Sequence, residues 1–328
     1  MEYEHYISLD WSQSVMSLAR MGRHSSKVEV KEGSSSIRGI KNFLSKYSGS
    51  KIFTFEESTP AQWLYTELKE EVDQVIVCDP YRNRLLSEGP KTDRIDAIKL
   101  CRLLKADLLK PVFHCTDEWI HRRKLMSVYE DLVKSGVRIK NQRSSIFRSH
   151  GKKVVSVSEV ELASDRFILE SLENQIESYE EQRKIFKKEF SRLSRNDSLI
   201  QLLETMPGFG SILAIRFAAI VVDPRRFKRP SHFLSYCGLV RLDRISGGKS
   251  YGRKRPRYSH TLKGVIKSAT IIALTKKNIY QDYYHYLKEK KGYPNHHARH
   301  AVARKLALVA LGIMREKKKF DPDKVFTV

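Results

Sequence analysis

YISLDWSQSVMSLARMGRHSSKVEVK, residues 6–31, decides the fold of the N-terminal part of this chain. Tyr6-Ile7-Ser8-Leu9 alternates in the manner of a strand, and stretches 14–21 and 27–31 do the same across short polar turns. Three strands therefore precede any helix. Further along, Ile37, Ile40, Phe43 and Leu44 stand at helical spacing after a Ser-rich start that can cap them. Residues 51–55 are strand-like again. A helix opens near Pro60, where proline is tolerated in a first turn. QVIVC at 74–78 is a short apolar run, the pattern of a strand covered on both faces. Residues 92–104 are helical.

The resulting order is strand, strand, strand, helix, strand, helix, strand, helix. It matches an RNase H-like α/β fold, and three consecutive strands argue against a doubly wound dinucleotide-binding domain. This N-terminal domain is expected over 1–115. Over 116–195 Gly and Pro almost vanish while Glu, Lys, Arg, Gln and Leu dominate. FILESLENQIESYEEQRKIFKKEF at 167–190 spaces its apolar residues by three and four. Two long helices broken near Ser149, His150 and Gly151 are expected, forming an antiparallel or intermolecular coiled coil. A third domain, 196–328, is mainly α and strongly basic. Its tail after Glu316 is polar and expected to fray.

The charge balance narrows the partners. There are 61 Lys+Arg against 38 Asp+Glu, a formal net charge of +23. So basic a protein meets a polyanion, most commonly nucleic acid. The four cysteines, Cys78, Cys101, Cys115 and Cys237, include no C-x-x-C pair, which speaks against a zinc ribbon and for reduced thiols. No signal peptide is visible and no run approaches the roughly 20 apolar residues of a membrane span. A cytoplasmic, nucleoid-associated protein is expected.

Four carboxylates carry the first chemical signal. Asp10 ends the first strand and Glu56 the fourth. Asp93 and Asp96 lie three apart on one face of the helix after the fifth strand. In an RNase H-like sheet these positions converge, and such a cluster is unfavourable unless it holds divalent cations. Mg²⁺ prefers carboxylate and water oxygens, and two such ions can activate a nucleophile and stabilise the leaving oxygen of a phosphodiester. Glu57 competes with Glu56 for the strand-end role; Glu56 is preferred because it directly follows the alternating Phe53-Thr54-Phe55. Each acid also has a plainer use, as a turn former or as a first-turn helix acid.

Two further segments suit nucleic acid. Pro207-Gly208-Phe209-Gly210 between apolar helices resembles a helix-hairpin-helix turn, with Gly208 and Gly210 allowing close approach to a phosphate; a helix–helix turn with no ligand is the alternative. From Asp223 to His260 there are eleven Lys+Arg and two acids. Within that stretch Ser246 precedes Gly247-Gly248, flanked by Arg241, Arg244, Lys249, Arg253, Lys254, Arg255 and Arg257. These cations suit phosphate, and a serine among them is a possible nucleophile; on local sequence alone a flexible turn and passive clamp is the stronger reading. His296, His297 and His300 have no Cys or acid to complete a metal site. Of Tyr280, Tyr283, Tyr284 and Tyr286, most are expected in the core and some able to stack on bases.

ISLD with Asp10, FEEST with Glu56, VCDP at 77–80, KTDRIDA with Asp93 and Asp96, ETMPGFG at 204–210 and CGL…ISGG with Ser246 together resemble the DEDD transposases of insertion-sequence family one hundred and ten, Piv-type invertases included. The resemblance spans nearly the whole chain. It implies a RuvC-like N-terminal domain, a coiled-coil insertion and a C-terminal transposase domain. It also implies an acidic tetrad (Asp10, Glu56, Asp93, Asp96) holding Mg²⁺ and a serine nucleophile at Ser246 that links covalently to DNA. DNA partners, a dimer or tetramer and, in some members, a structured bridge RNA are implied too. Glu57 to Pro60 replace the family's usual small residue and Thr-Gly, leaving Glu57 a competitor, and Ser250 is the alternative nucleophile. The competing activity is a metal-dependent nuclease or junction resolvase that uses water; a non-catalytic nucleic-acid binder is the third.

Overall fold

The computed structural model describes residues 2–82, 92–115, 117–151, 157–160 and 162–325. Lys91 of the KTDRIDA motif lies outside them. The chain forms two compact units, Met1–Cys115 and Thr116–Val328.

The first unit follows the expected order of elements. Strands β1 (His5–Trp11), β2 (Val15–Gly22) and β3 (Val28–Ser34) lead into helix α1 (Ile37–Leu44). Strand β4 (Lys51–Glu56), helix α2 (Ala61–Leu68), strand β5 (Gln74–Cys78) and helix α3 (Asp93–Lys105) follow. The sheet runs β3-β2-β1-β4-β5, with β2 antiparallel to both β1 and β3, and β4 parallel to β1 and β5. This mixed sheet is compatible with an RNase H-like domain.

Period-two alternation sorts the two faces. Ile7, Leu9, Met16, Leu18, Phe53, Phe55 and Val77 bury against Ile40, Phe43 and Leu44 of α1 and Ala61, Leu64 and Leu68 of α2. On the opposite face, Ile52 and Cys78 pack with Leu100 and Leu104, and Ala19 and Met21 with Ala97 and Cys101, all four partners from α3. Helices thus cover both faces, which is why β1, β4 and β5 tolerate apolar runs.

Among the described residues the second unit is helical apart from one hairpin. Helices α4 (Asp117–Ser149) and α5 (Ala163–Arg195) run antiparallel. Arg143 pairs with Glu173 at 2.9 Å and His150 with Asp165 at 2.8 Å, while Lys140 pairs with Glu180, so the partner number falls as the first rises. Helices α6 (Ser198–Glu204), α7 (Ser211–Val221) and α8 (Pro230–Tyr236) follow, then strands β6 (Leu242–Ser246) and β7 (Lys249–Lys254). Helices α9 (His260–Ala273), α10 (Ile279–Glu289) and α11 (Asn295–Glu316) complete it. Met126 and Tyr129 of α4 and Phe190 of α5 belong to the same core as Phe217, Val265 and Leu306, so the base of the α4–α5 pair and the later helices share one interior. The tail does not fray as expected. The Phe320 N–H donates to Thr205 Oγ1 at 2.9 Å, the Phe320 ring lies 5.9 Å from that of Tyr280, and Val325 is buried. Two apolar residues in a polar run suffice to pin it.

Candidate active site and nucleic-acid interface

Strand parity places the acids. Tyr6, Ser8 and Asp10 alternate onto the α3 side of β1, opposite to Ile7 and Leu9. Ile52, Thr54 and Glu56 do the same on β4. The β1–β4 register pairs Ser8 with Thr54 and Leu9 with Phe55, so Asp10 and Glu56 come next, side by side on one face. Adjacent strands lie about 4.8 Å apart. Both carboxylates are half-buried.

Helix α3 lies over that face by its first turns. Thr92 caps it, accepting from the Ile95 N–H at 3.3 Å, so Asp93 and Asp96 fall in the first turn. There they face the unpaired amides and the positive end of the helix dipole. The buried Ser8 hydroxyl donates to the carbonyl of Ala97 at 2.6 Å, tying the residue after Asp96 to the strand position two before Asp10. Ser8→Ala removes that tie at a cost of about 1 kcal/mol. Its melting temperature should fall by roughly 4 °C; an unchanged melt would show that α3 is placed by apolar packing alone.

Glu57 turns the other way. Its N–H continues the ladder to Cys78, and its Oε2 meets His114 Nε2 at 2.7 Å. The His114 ring stacks on Tyr65 of α2, and its Nδ1 lies 2.8 Å from Gln62 Oε1, also on α2. The neighbouring glutamates therefore serve opposite faces. On the α3 side Glu32 of β3 is a further acid, met by Arg94 at 3.3 Å and by the Ser17 hydroxyl at 3.3 Å. Sequence reading passed over it, although β3 alternation marks its face.

Carboxylate oxygen is the donor type that a divalent cation prefers. The structure sets Asp10 and Glu56 on neighbouring strands and Asp96 on the covering helix. Among the described residues no three His, Cys, Asp or Glu side chains group closely enough to hold an ion.

Ser246 is in the other unit. It ends β6, pairs with Lys249 across the two-residue turn Gly247-Gly248, and is exposed with the whole ribbon. Both glycines have positive φ, 54° and 75°, the conformation that a tight hairpin turn requires at both central positions. Arg241, Arg244, Lys249, Lys254, Arg255 and Arg257 are exposed along and beside the ribbon, and Arg253 pairs across it with Asp243 at 3.0 Å. Ser250 lies on β7 opposite Ile245. The cysteines offer no competing nucleophile. All four are buried and outside any disulfide, and burial pushes the Cys101 thiol up to about 12 and the Cys237 thiol well above its ordinary value.

Two family models match separate stretches of this chain. A transposase family model of the IS110 DEDD type matches residues 7–151, and the Transposase IS116/IS110/IS902 family model matches residues 200–285. The chain belongs to the IS110 family of DEDD transposases. It is similar to the insertion element IS116 uncharacterized 44.8 kDa protein of Streptomyces clavuligerus, 29% identical over 153 residues. That match spans 46% of this chain and only 38% of the relative.

The first family match contains all four acids and the second contains Ser246. Within the second, the MPGFG turn joins α6 to α7, and its two expected phosphate-facing glycines differ. Gly208, with φ 91°, packs against the backbone of Ala269 and lies within contact of Ala273 on α9. Gly210 caps α7 with no side-chain hydrogen bond and has open space where a side chain would go. Only Gly210 stands open to a ligand. Among the tyrosines, Tyr280 is fully buried, whereas Tyr283 lines a surface cleft with Tyr293, His297 and His300. No helix among the described residues is long and apolar enough to cross a membrane.

Proposed function

We propose that this chain is a DNA transposase or site-specific recombinase that cleaves and rejoins strands at a RuvC-like acidic site, with Ser246 as nucleophile. The observation that carries the reading is the pairing of Asp10 and Glu56 on one face of neighbouring strands beneath the first turn of α3. Family membership supports it. Asp10, Glu56, Asp93 and Asp96 would hold Mg²⁺, which when bound supplies charge neutralisation at the scissile phosphate. The Ser246 hydroxyl gives up its proton and attacks phosphorus. A Ser–O–P bond forms, one P–O bond of the strand breaks, and the released deoxyribose oxygen takes a proton. A hydroxyl of the incoming strand then reverses these exchanges and frees the serine. Phosphodiester count is conserved, so rejoining needs no ATP. Arg241, Arg244, Lys249, Arg253, Lys254, Arg255 and Arg257, with the open amides at Gly210, would hold the phosphates. The α4–α5 hairpin is proposed to act as a coiled coil within a dimer or tetramer, and a structured guide RNA is a proposed partner.

The test traps the intermediate. The purified chain, with any co-purifying RNA, is mixed with labelled element-end and target DNA and Mg²⁺, and denaturing gels are examined for DNA attached to protein. The expected adduct is lost in Ser246→Ala and in Asp10→Ala and kept in Ser250→Ala. Cleavage without an adduct, surviving Ser246→Ala but lost in Asp10→Ala, would instead establish attack by water.

A further inference from the structure

One face of α11 gathers basic side chains. His297, His300, Ala301, Arg304, Lys305 and Leu308 recur at helical spacing and form a single stripe. Together with Leu234 of α8, Tyr283 of α10 and Tyr293 just after α10, they line an open cleft of about 440 Å³. No acid is in that lining. Burial, then the charges of Arg304, Lys263, His297 and Arg241, hold the His300 imidazole below its ordinary pKa. Arg304 thus stands in one lining with the imidazoles of His297 and His300 and no acid, a set of basic groups that an entering anion would neutralise.

The rest of the lining is apolar and aromatic. Leu234, Ala301 and Leu308 sit with two tyrosine rings, and Tyr293 is 46% exposed. Phosphate satisfies the cations but leaves that surface bare. A sugar-phosphate carrying an unpaired base satisfies both, because a planar base stacks on tyrosine. A duplex hides its base faces. We propose that this cleft binds single-stranded nucleic acid, a phosphodiester against Arg304 and His300 and an unpaired base against Tyr293. Arg241, whose charge acts on His300, directly precedes β6, the first strand of the hairpin that carries Ser246. The inference rests on the reading of this chain as a nucleic-acid enzyme and adds where a separated strand is gripped.

The full-length chain, freed of nucleic acid, is titrated with labelled oligo-dT, oligo-U, a duplex of equal length and an abasic strand. Tyr293→Ala is expected to weaken binding of the base-bearing single strands roughly tenfold and to leave the duplex and the abasic strand unchanged. Arg304→Ala is expected to weaken the abasic strand as well and to reduce the salt slope by about one. The oligo-dT and oligo-U arms separate a DNA from an RNA occupant, and a Tyr293-dependent loss in either supports the site. Unchanged single-strand affinity in Tyr293→Ala, or an equal loss for duplex, overturns this inference alone while the Ser246 adduct persists. A wild-type chain that binds none of the four probes overturns both readings. Both substituted side chains are exposed, and melting curves matching the wild type establish that the variants fold.

Discussion

Glu56→Gln is expected to lower Mg²⁺-dependent strand cleavage at least roughly a thousandfold, about 4 kcal/mol of transition-state stabilisation. Glu57→Gln is expected to keep most of it. The asymmetry comes from strand parity. Glu56 shares its face with Asp10, Thr54 and the covering helix, whereas Glu57 meets His114 against Tyr65 and Gln62 of α2. Glutamine at 56 keeps size and polarity but loses the charge that a cation needs, so folding should be unaffected. Cleavage rates on element-end DNA and calorimetric Mg²⁺ binding check both variants, with Asp10→Asn as the matching strand partner. The reverse ranking, Glu57→Gln inactive and Glu56→Gln active, would move the metal site to the α2 face and undo the assignment. Equal loss in both would point to His114 and Glu57 fixing the strand end on which Glu56 depends.

The order of elements in the first unit was legible because each strand and helix carries its own period, and Phe53-Thr54-Phe55 already marked which way Glu56 turns. What local sequence could not supply was pairing. The β3-β2-β1-β4-β5 order and the Ser8–Ala97 bond join residues far apart in the chain. The preference for Glu56 rested on one alternating triplet, and the structure adds the reason Glu57 is occupied elsewhere. In the second unit the ribbon β6–β7 went unread as strands, although LDRIS and KSYGRK flank a Gly-Gly pair, a strong hairpin signal. The surrounding cations drew the reading toward a phosphate loop. The α11 cleft was hidden for a different cause. His297 and His300 were visible, but Leu234, Tyr283 and Tyr293 reach them only through packing of α8 and α10.

Gly208→Ala is expected to destabilise the second unit by about 4 kcal/mol, from the positive φ that a Cβ disfavours and from overpacking against α9. A side chain here would press on the carbonyl of Ala269, which is helix backbone and cannot swing aside, and would lie 3.1 Å from Ala273 Cβ. Gly210→Ala serves as the contrast. Its φ of −105° suits any residue and nothing lies within 4 Å of the new carbon, so the loss should stay under about 1 kcal/mol, that of a weaker helix cap. Denaturant unfolding of the two variants measures the difference. Equal stabilities would mean that the α6–α7 turn is not held against α9 and that Gly208 is available to a phosphate after all. The expected gap assigns the two glycines separate work. Gly208 lets α9 approach the turn closely, and that contact fixes the direction in which α7 leaves it. Gly210 keeps the first amides of α7 uncovered, so a nucleic-acid contact at this turn depends on Gly210 directly and on Gly208 only through the fold.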